Sequence, residues 1–301
     1  MNPLRQALNL LQVIKGVWEA WKIVREFSPC AIFATGGYVS VPVVLAGKLQ
    51  GVPSLIYLPD LEPGLAVRFL SLLAAKVAVT FPEVLKFFPE GKAVVSGYPV
   101  RKALLEAKPE EGRRTFGLED GMKTVLVFGG SRGARSINRA LAHSIDTLLD
   151  YCQLLHISGA LDYEEMKDLY NSLPPEKRKR YRVFPFLYQE MGLALAAADL
   201  VVSRAGAATL GEFPALGKPA ILVPYPYAGG HQERNARFLE ERGAALVILD
   251  SDLDKELLPA ILGLLEDEGR LKRMAERAKA LAYPDAAEKL AEILRGLSPG
   301  G

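Results

Sequence analysis

Residues 124–135 read Thr-Val-Leu-Val-Phe-Gly-Gly-Ser-Arg-Gly-Ala-Arg. A short β-prone run bounded by glycine reads as a buried strand. The glycines end it in a tight turn, and a helical pattern follows from about Ser136 to Leu149. A strand, a glycine turn and a helix make the first half of a βαβ crossover, which builds a parallel sheet. The same alternation extends downstream. Gln153–Ser158, Arg182–Phe186, Leu200–Ser203, Ala220–Pro224 and Ala245–Leu249 read as further strands with helices between them. Upstream, Ala31–Thr35, Pro53–Leu58, Lys76–Thr80 and Ala93–Ser96 read as strands, with helices over Val39–Leu49 and Leu65–Leu73. Between the two series, residues 106–121 are charged and lack strong apolar periodicity, so they read as a linker or domain boundary. The fold class expected is α/β, with two tandem doubly wound Rossmann-like domains. The boundaries expected are 1–115 and 116–301, with the last helix packing back on the first domain.

Composition narrows the function. The chain has 301 residues, which allows two ordinary domains. Half of it is hydrophobic and 24% is charged, a globular balance. Against 37 Lys and Arg stand 35 Asp and Glu, so bulk charge gives no basis for binding nucleic acid. The two cysteines, Cys30 and Cys152, exclude a disulfide scaffold and a multi-cysteine zinc site, and both are expected in the core. No apolar stretch reaches the roughly 18 residues that span a bilayer. A chain of this composition is expected in the cytoplasm.

Three strand-to-helix junctions carry glycine: Gly36-Gly37-Tyr38, Gly129 to Gly133, and Ala205-Gly206-Ala207-Ala208-Thr209. Glycine lets backbone approach a ligand, and the following helix offers free N–H groups to phosphate. Such junctions also serve packing alone. None matches the dinucleotide fingerprint or the lysine-bearing phosphate loop, which disfavours hydride transfer and ATP hydrolysis. Glu212, one turn beyond Thr209, could take the two hydroxyls of a ribose, or simply favour the helix dipole. His231, Gln232 and Asn235 stand at the start of a helix and could meet sugar hydroxyls, or cap it. His156 reads as a core residue. No metal-ligand spacing and no serine–histidine–acid set is present. In the first 28 residues, Leu4, Leu8, Leu11, Ile14 and Trp18 recur at helical spacing among Arg5, Lys15, Lys22 and Arg25. That face can lie on an anionic membrane or pack on the sheet.

Five motifs in order carry a family resemblance: Gly36 to Ser40, Gly97 to Arg101, Gly129 to Arg135, Arg204 to Glu212, and His231-Gln232-Glu233-Arg234-Asn235-Ala236. From about Leu11 to Leu297 the chain resembles the MurG family, inverting glycosyltransferases that move N-acetylglucosamine from UDP-GlcNAc onto lipid I. The resemblance implies a GT-B fold whose second domain binds the donor without a metal or other cofactor. It places Ser131 and Arg101 near the diphosphate and uridine, the backbone of Leu187 on uracil, and Gly206, Ala207, Ala208 and Thr209 on the diphosphate. Glu212 would hold the ribose, and His231, Gln232 and Asn235 the sugar or diphosphate. Gly36, Gly37 and Tyr38 would lie on the acceptor side. The helix from Leu4 to Arg25 matches the family's membrane patch, which implies a peripheral position on the inner membrane face.

Two departures qualify this. The family opens with a strand and a Gly-x-Gly-Gly-His loop, and this sequence begins beyond them. The first domain is therefore expected to be incomplete, unless a partner polypeptide supplies the rest. The family's Glu-Gln-Asn corresponds here to a segment, 58–64, whose carboxylates Asp60 and Glu62 are the candidates for the general base. The alternatives are a UDP-sugar-binding subunit that works only with a partner, a glycosyltransferase with another lipid acceptor, and a UDP-sugar epimerase.

Overall fold

The computed structural model describes residues 3–130 and 133–298, with backbone alone for 3–11. The chain forms two compact units, residues 1–99 with 285–301, and residues 100–284. The breaks differ from the single boundary after residue 115 expected from composition.

The first unit runs α1 (Pro3–Phe27), β1 (Ile32–Ala34), α2 (Ser40–Leu49), β2 (Ser54–Leu58), α3 (Leu65–Leu73), β3 (Lys76–Val79), a 3-10 turn (Pro82–Phe87) and β4 (Ala93–Val95). The four strands are parallel in the order β1-β2-β3-β4. Side chains alternate across a strand, so β2 buries both its faces. Ile56 and Leu58 join Ala20, Val24, Val44, Val67 and Leu70 under the helices. Leu55 and Tyr57 face the other way and meet Leu290.

The second unit runs α4 (Lys102–Leu105), α5 (Pro109–Phe116), β5 (Thr124–Phe128), α6 (Arg135–Tyr151), β6 (Gln153–Ile157), α7 (Tyr163–Ser172), α8 (Pro175–Arg178), β7 (Tyr181–Phe184) and α9 (Met191–Ala197). It continues through β8 (Leu200–Ser203), α10 (Thr209–Leu216), β9 (Ala220–Leu222), α11 (His231–Glu241), β10 (Ala245–Val247), α12 (Leu253–Glu266) and α13 (Glu268–Lys279). The chain then re-enters the first unit as α14 (Ala286–Arg295), which carries Leu290. Six parallel strands lie in the order β10-β9-β8-β5-β6-β7. The order reverses between β5 and β8. A doubly wound sheet opens a crevice at such a point, beyond the carboxyl ends of the strands.

The linker reading of 106–121 is corrected. The stretch contains α5, whose only buried residues are Gly112 and Phe116. A Cβ on Gly112 would come within 2.3 Å of the Leu193 carbonyl, so only glycine lets α5 lie against α9. A face built on one glycine and one phenylalanine leaves no apolar periodicity to read. The cysteines divide as well: Cys152 is buried, but Cys30 is exposed, because it follows the end of α1.

Candidate functional site in the second unit

β5 and β8 end side by side at the pair Phe128–Ser203. The loop after β5 leads to α6, and the loop after β8 leads to α10. A cavity of about 290 Å³ opens here. It is lined by Arg101, Phe128, Gly130, Ile157, Phe186, Leu187, Tyr188, Met191 and Glu212. The walls are mostly apolar and aromatic: Phe128 meets Phe213 edge-on, and Phe186 packs on Tyr188 at 4.5 Å. Such a slot suits a planar ring. Leu187 is buried, and its peptide N–H and C=O form no backbone hydrogen bond among the described residues. Both can offer a hydrogen bond to a group in the cavity.

Glu212 is the acid in this cavity. Burial raises its pKa above the ordinary carboxylate value, and the charge of Arg101 pulls the other way. A half-desolvated carboxylate beside an arginine is a strong hydrogen-bond acceptor.

The glycines separate into two kinds. A Cβ on Gly129 would fall 2.3 Å from Ala134, and one on Gly133 2.3 Å from the Ser158 carbonyl. These two are required by the protein's own packing. A Cβ on Gly206 would meet nothing within 4 Å, and Gly206 is not in the left-handed region. No packing demand explains this glycine, so the space in front of it is kept open. Among the described residues no backbone carbonyl accepts from the N–H groups of Gly206, Ala207 or Ala208. They lead into α10, and free N–H groups in this position can receive an anion. Thr209 is 5% exposed and its hydroxyl donates to the Gly206 carbonyl at 2.7 Å, so its side chain closes this turn.

The start of α11 is mixed. The Nδ1 of His231 is enclosed and has no hydrogen-bond partner among the described residues, beside the glycine turn 229–230. Gln232 accepts from the Tyr225 N–H and borders a second cavity of about 530 Å³, with Arg135 and Arg204. Asn235, expected to reach a ligand, is 1% exposed and donates to the Ala205 carbonyl at 3.2 Å. It clips α11 to the loop before α10 and presents no surface to the cavity. Arg204 anchors the same loop. It pairs with Asp250 and donates to Ser136 Oγ at 2.7 Å. Ser131 lies outside the described residues.

In the first unit, Gly36 and Gly37 both take positive φ. A Cβ on Gly37 would point into open space, and Tyr38 is 74% exposed. Glu62 is drawn to Arg68 at 3.6 Å, and Arg68 also donates to the Pro63 carbonyl. Burial holds the Tyr57 phenol far above its ordinary pKa, and the Asp60 charge adds to this, which puts Asp60 near Tyr57. Ile14 and Trp18 of α1 are each 56% exposed, opposite the face that buries Ala20 and Val24. Lys22 sits over the Trp18 ring at 3.4 Å. The side chains of Leu4, Leu8 and Leu11 lie outside the described residues. No described helix is long and apolar enough to cross a membrane. Among the described residues no three His, Cys, Asp or Glu side chains group to hold a metal ion.

Sequence reasoning missed Phe128, Phe186, Tyr188 and Met191, which line the cavity through apolar surface alone. Their signal, apolar residues at the end of β5, in the loop after β7 and at the start of α9, is the same as that of the core.

Comparison with known proteins shows the family and the fold. Residues 124–290 match the glycosyltransferase family 28 C-terminal domain, and residues 4–79 match its N-terminal domain. The UDP-N-acetylglucosamine--N-acetylmuramyl-(pentapeptide) pyrophosphoryl-undecaprenol N-acetylglucosamine transferase of Roseiflexus sp. is 41% identical, over 98% of this chain and 76% of its own length. The protein of the same description from Thermodesulfovibrio yellowstonii is 40% identical, over 97% and 80%. The crystal structure of Acinetobacter baumannii MurG superposes with a TM-score of 0.76 at 29% identity, over 95% of this chain and 79% of that one. A UDP-GlcNAc 2-epimerase from Neisseria meningitidis reaches a TM-score of 0.70 at 15% identity, over 94% and 81%, a likeness of fold.

Proposed function

This chain belongs to the MurG family of family 28 glycosyltransferases, and from that premise we propose that it transfers N-acetylglucosamine from UDP-GlcNAc to lipid I, giving lipid II in peptidoglycan synthesis. The observation that carries the reading is the conjunction of a flat apolar slot, the half-buried acid Glu212 that lines it and the open backbone at Gly206, in the loop before the helix of Glu212. A uridine ring fits the slot, with the free peptide edge of Leu187 matched to uracil. Glu212 accepts from the ribose hydroxyls. The N–H groups from Gly206 to Ala208 take the diphosphate, and Arg101 adds positive charge. His231 and Gln232 are placed with the sugar.

In the transfer, the acceptor hydroxyl attacks the anomeric carbon and loses its proton to a base, for which Asp60 and Glu62 are the candidates. The bond to UDP breaks, and the leaving diphosphate gathers negative charge. Fixed N–H dipoles at the start of α10 stabilise charge where it develops, and the reading assigns this role to no metal ion.

Exposed Ile14 and Trp18, with Lys15, Lys22 and Arg25 on the same helix, support α1 as the contact with an anionic cytoplasmic membrane surface that holds the lipid-linked acceptor. In sequence, Leu4, Leu8 and Leu11 continue the same spacing. A second reading has a specific support: β1 is an edge strand of the first sheet and its Phe33 is 45% exposed. A partner polypeptide could add a strand there.

The test is transfer of labelled N-acetylglucosamine from UDP to a short-chain lipid I analogue by this chain alone. Product supports the transferase. UDP binding without product favours the subunit reading or another lipid acceptor, and no UDP binding overturns the site.

A further inference from the structure

A line of buried polar groups runs beneath the glycine loop after β5. His156 on β6 is fully buried, with Nδ1 2.8 Å from Tyr181 Oη and Nε2 3.0 Å from Asn138 Oδ1. Asn138 on α6 is 1% exposed. Its amide nitrogen donates to the Ser158 carbonyl and to Asp162 Oδ2, both at 2.9 Å. Arg135 donates through Nε to Asp162 Oδ1 at 3.0 Å and pairs with it through Nη2 at 2.9 Å. Donor and acceptor roles follow without choice. Asn138 Oδ1 can only accept, so His156 carries its proton on Nε2, and the neutral ring accepts from the Tyr181 hydroxyl on Nδ1. Each of the two amide hydrogens of Asn138 has its own acceptor.

The line ends at the loop. Gly133 lies directly on the Ser158 carbonyl, so close that a Cβ there would stand 2.3 Å from it. The N–H of Gly133 donates to the Gly130 carbonyl at 3.0 Å, and Gly130 lines the cavity with Glu212 and Arg101. Four contacts therefore join His156 to the cavity wall: His156 to Asn138, Asn138 to Ser158, Ser158 to Gly133, and Gly133 to Gly130.

Resting on the nucleotide reading of that cavity, we infer that His156, Asn138 and Asp162 are positioning residues that fix Gly133, and through it Gly130 in the cavity wall, and thereby the affinity for the UDP part of the donor. His156 and Asn138 line neither cavity, and Asp162, 5% exposed, borders the second one. They act because the Ser158 carbonyl on which the loop rests is held by one amide hydrogen, and that amide is held in turn from both sides. Asp162→Asn places a donor opposite the Asn138 amide or opposite Arg135, so one end of the line must let go. His156→Phe keeps a ring in the sheet but leaves the Asn138 oxygen and the Tyr181 hydroxyl without partners.

The test measures the Kd of UDP and the Tm of the full chain, its Asp162→Asn and His156→Phe variants, and Leu264→Ala. Leu264 is buried in the same unit on α12, outside the line, and its truncation supplies a destabilised control. The expected result is a UDP Kd raised about tenfold or more in Asp162→Asn, with Leu264→Ala lower in Tm but unchanged in Kd. His156→Phe should weaken UDP to a similar degree, and should it fail to fold, Asp162→Asn decides alone. A wild-type chain that binds UDP while Asp162→Asn binds it equally well overturns the inference and spares the nucleotide reading. A wild-type chain that does not bind UDP overturns the nucleotide reading and the inference with it.

Discussion

Gly206 and Gly133 are both glycines of strand-to-helix loops, yet they are glycine for opposite reasons. Gly133 has φ +77° and no room for a Cβ, whereas Gly206 has ordinary φ and open space before it. Gly133→Ala should therefore cost at least about 1 kcal/mol of stability. Gly206→Val should leave Tm near that of the parent and abolish UDP binding, because the added side chain occupies the space assigned to the diphosphate. Denaturant melts and UDP titrations of the two variants check this. Glu212 makes the other residue-scale prediction. A hydrogen bond to a charged acceptor contributes roughly 1.5–3 kcal/mol, so Glu212→Ala should raise the donor KM about tenfold or more. Turnover should fall less, since the ribose is held in ground and transition state alike. A variant with unchanged donor KM would remove Glu212 from the ribose site.

Among the elements, α1 has one face for the protein and another for something else. Ala20 and Val24 enter the core, and Gln50 of the neighbouring segment donates to the Trp21 carbonyl at 2.9 Å, which ties the helix down. Ile14 and Trp18 on the other side contribute nothing to that core. Trp18→Glu should then leave Tm within about 1 °C of the parent, as surface changes usually do, and reduce binding to vesicles containing anionic lipid. Co-sedimentation with such vesicles, compared with neutral ones, reads the effect. Equal binding by parent and variant would assign the stripe elsewhere. α5 shows the opposite case, an element with too few apolar residues to mark a core-facing stripe, held by the close approach that Gly112 allows.

At the scale of the whole molecule, the buried polar line also shapes the response to acid. Burial lowers the pKa of His156 from 6.5 to about 3, against a smaller opposing pull from Asp162. The unfolded chain takes up a proton near pH 6.5 that the folded chain refuses. The stability linked to this group is therefore present above pH 6.5 and lost as pH falls toward 3. Tm measured across that interval should drop, and the drop should be shallower in His156→Phe than in the parent. An identical slope in both would mean that other groups govern acid unfolding.

What the sequence determined by itself is the periodic part of the protein. Apolar runs of strand length, separated by helical patterns and ended by glycine, place the parallel strands and hence the crevice at which two of the glycine loops meet. Glu212 was legible for the same reason, since one helical turn from a glycine junction is a local relation. Only tertiary structure decided the rest. It separated Asn235, which is buried, from its exposed neighbours on one helix, and it distinguished the glycine that packing requires from the one that packing leaves open. It also brought Tyr181, His156, Asn138 and Asp162, distant in the chain, into a single line. Those outcomes depend on which groups from distant segments come within hydrogen-bond reach, a relation that no local spacing encodes. Residues 106–121 mark the limit, because the buried face of α5 holds only Gly112 and Phe116 and so offers no apolar run to read.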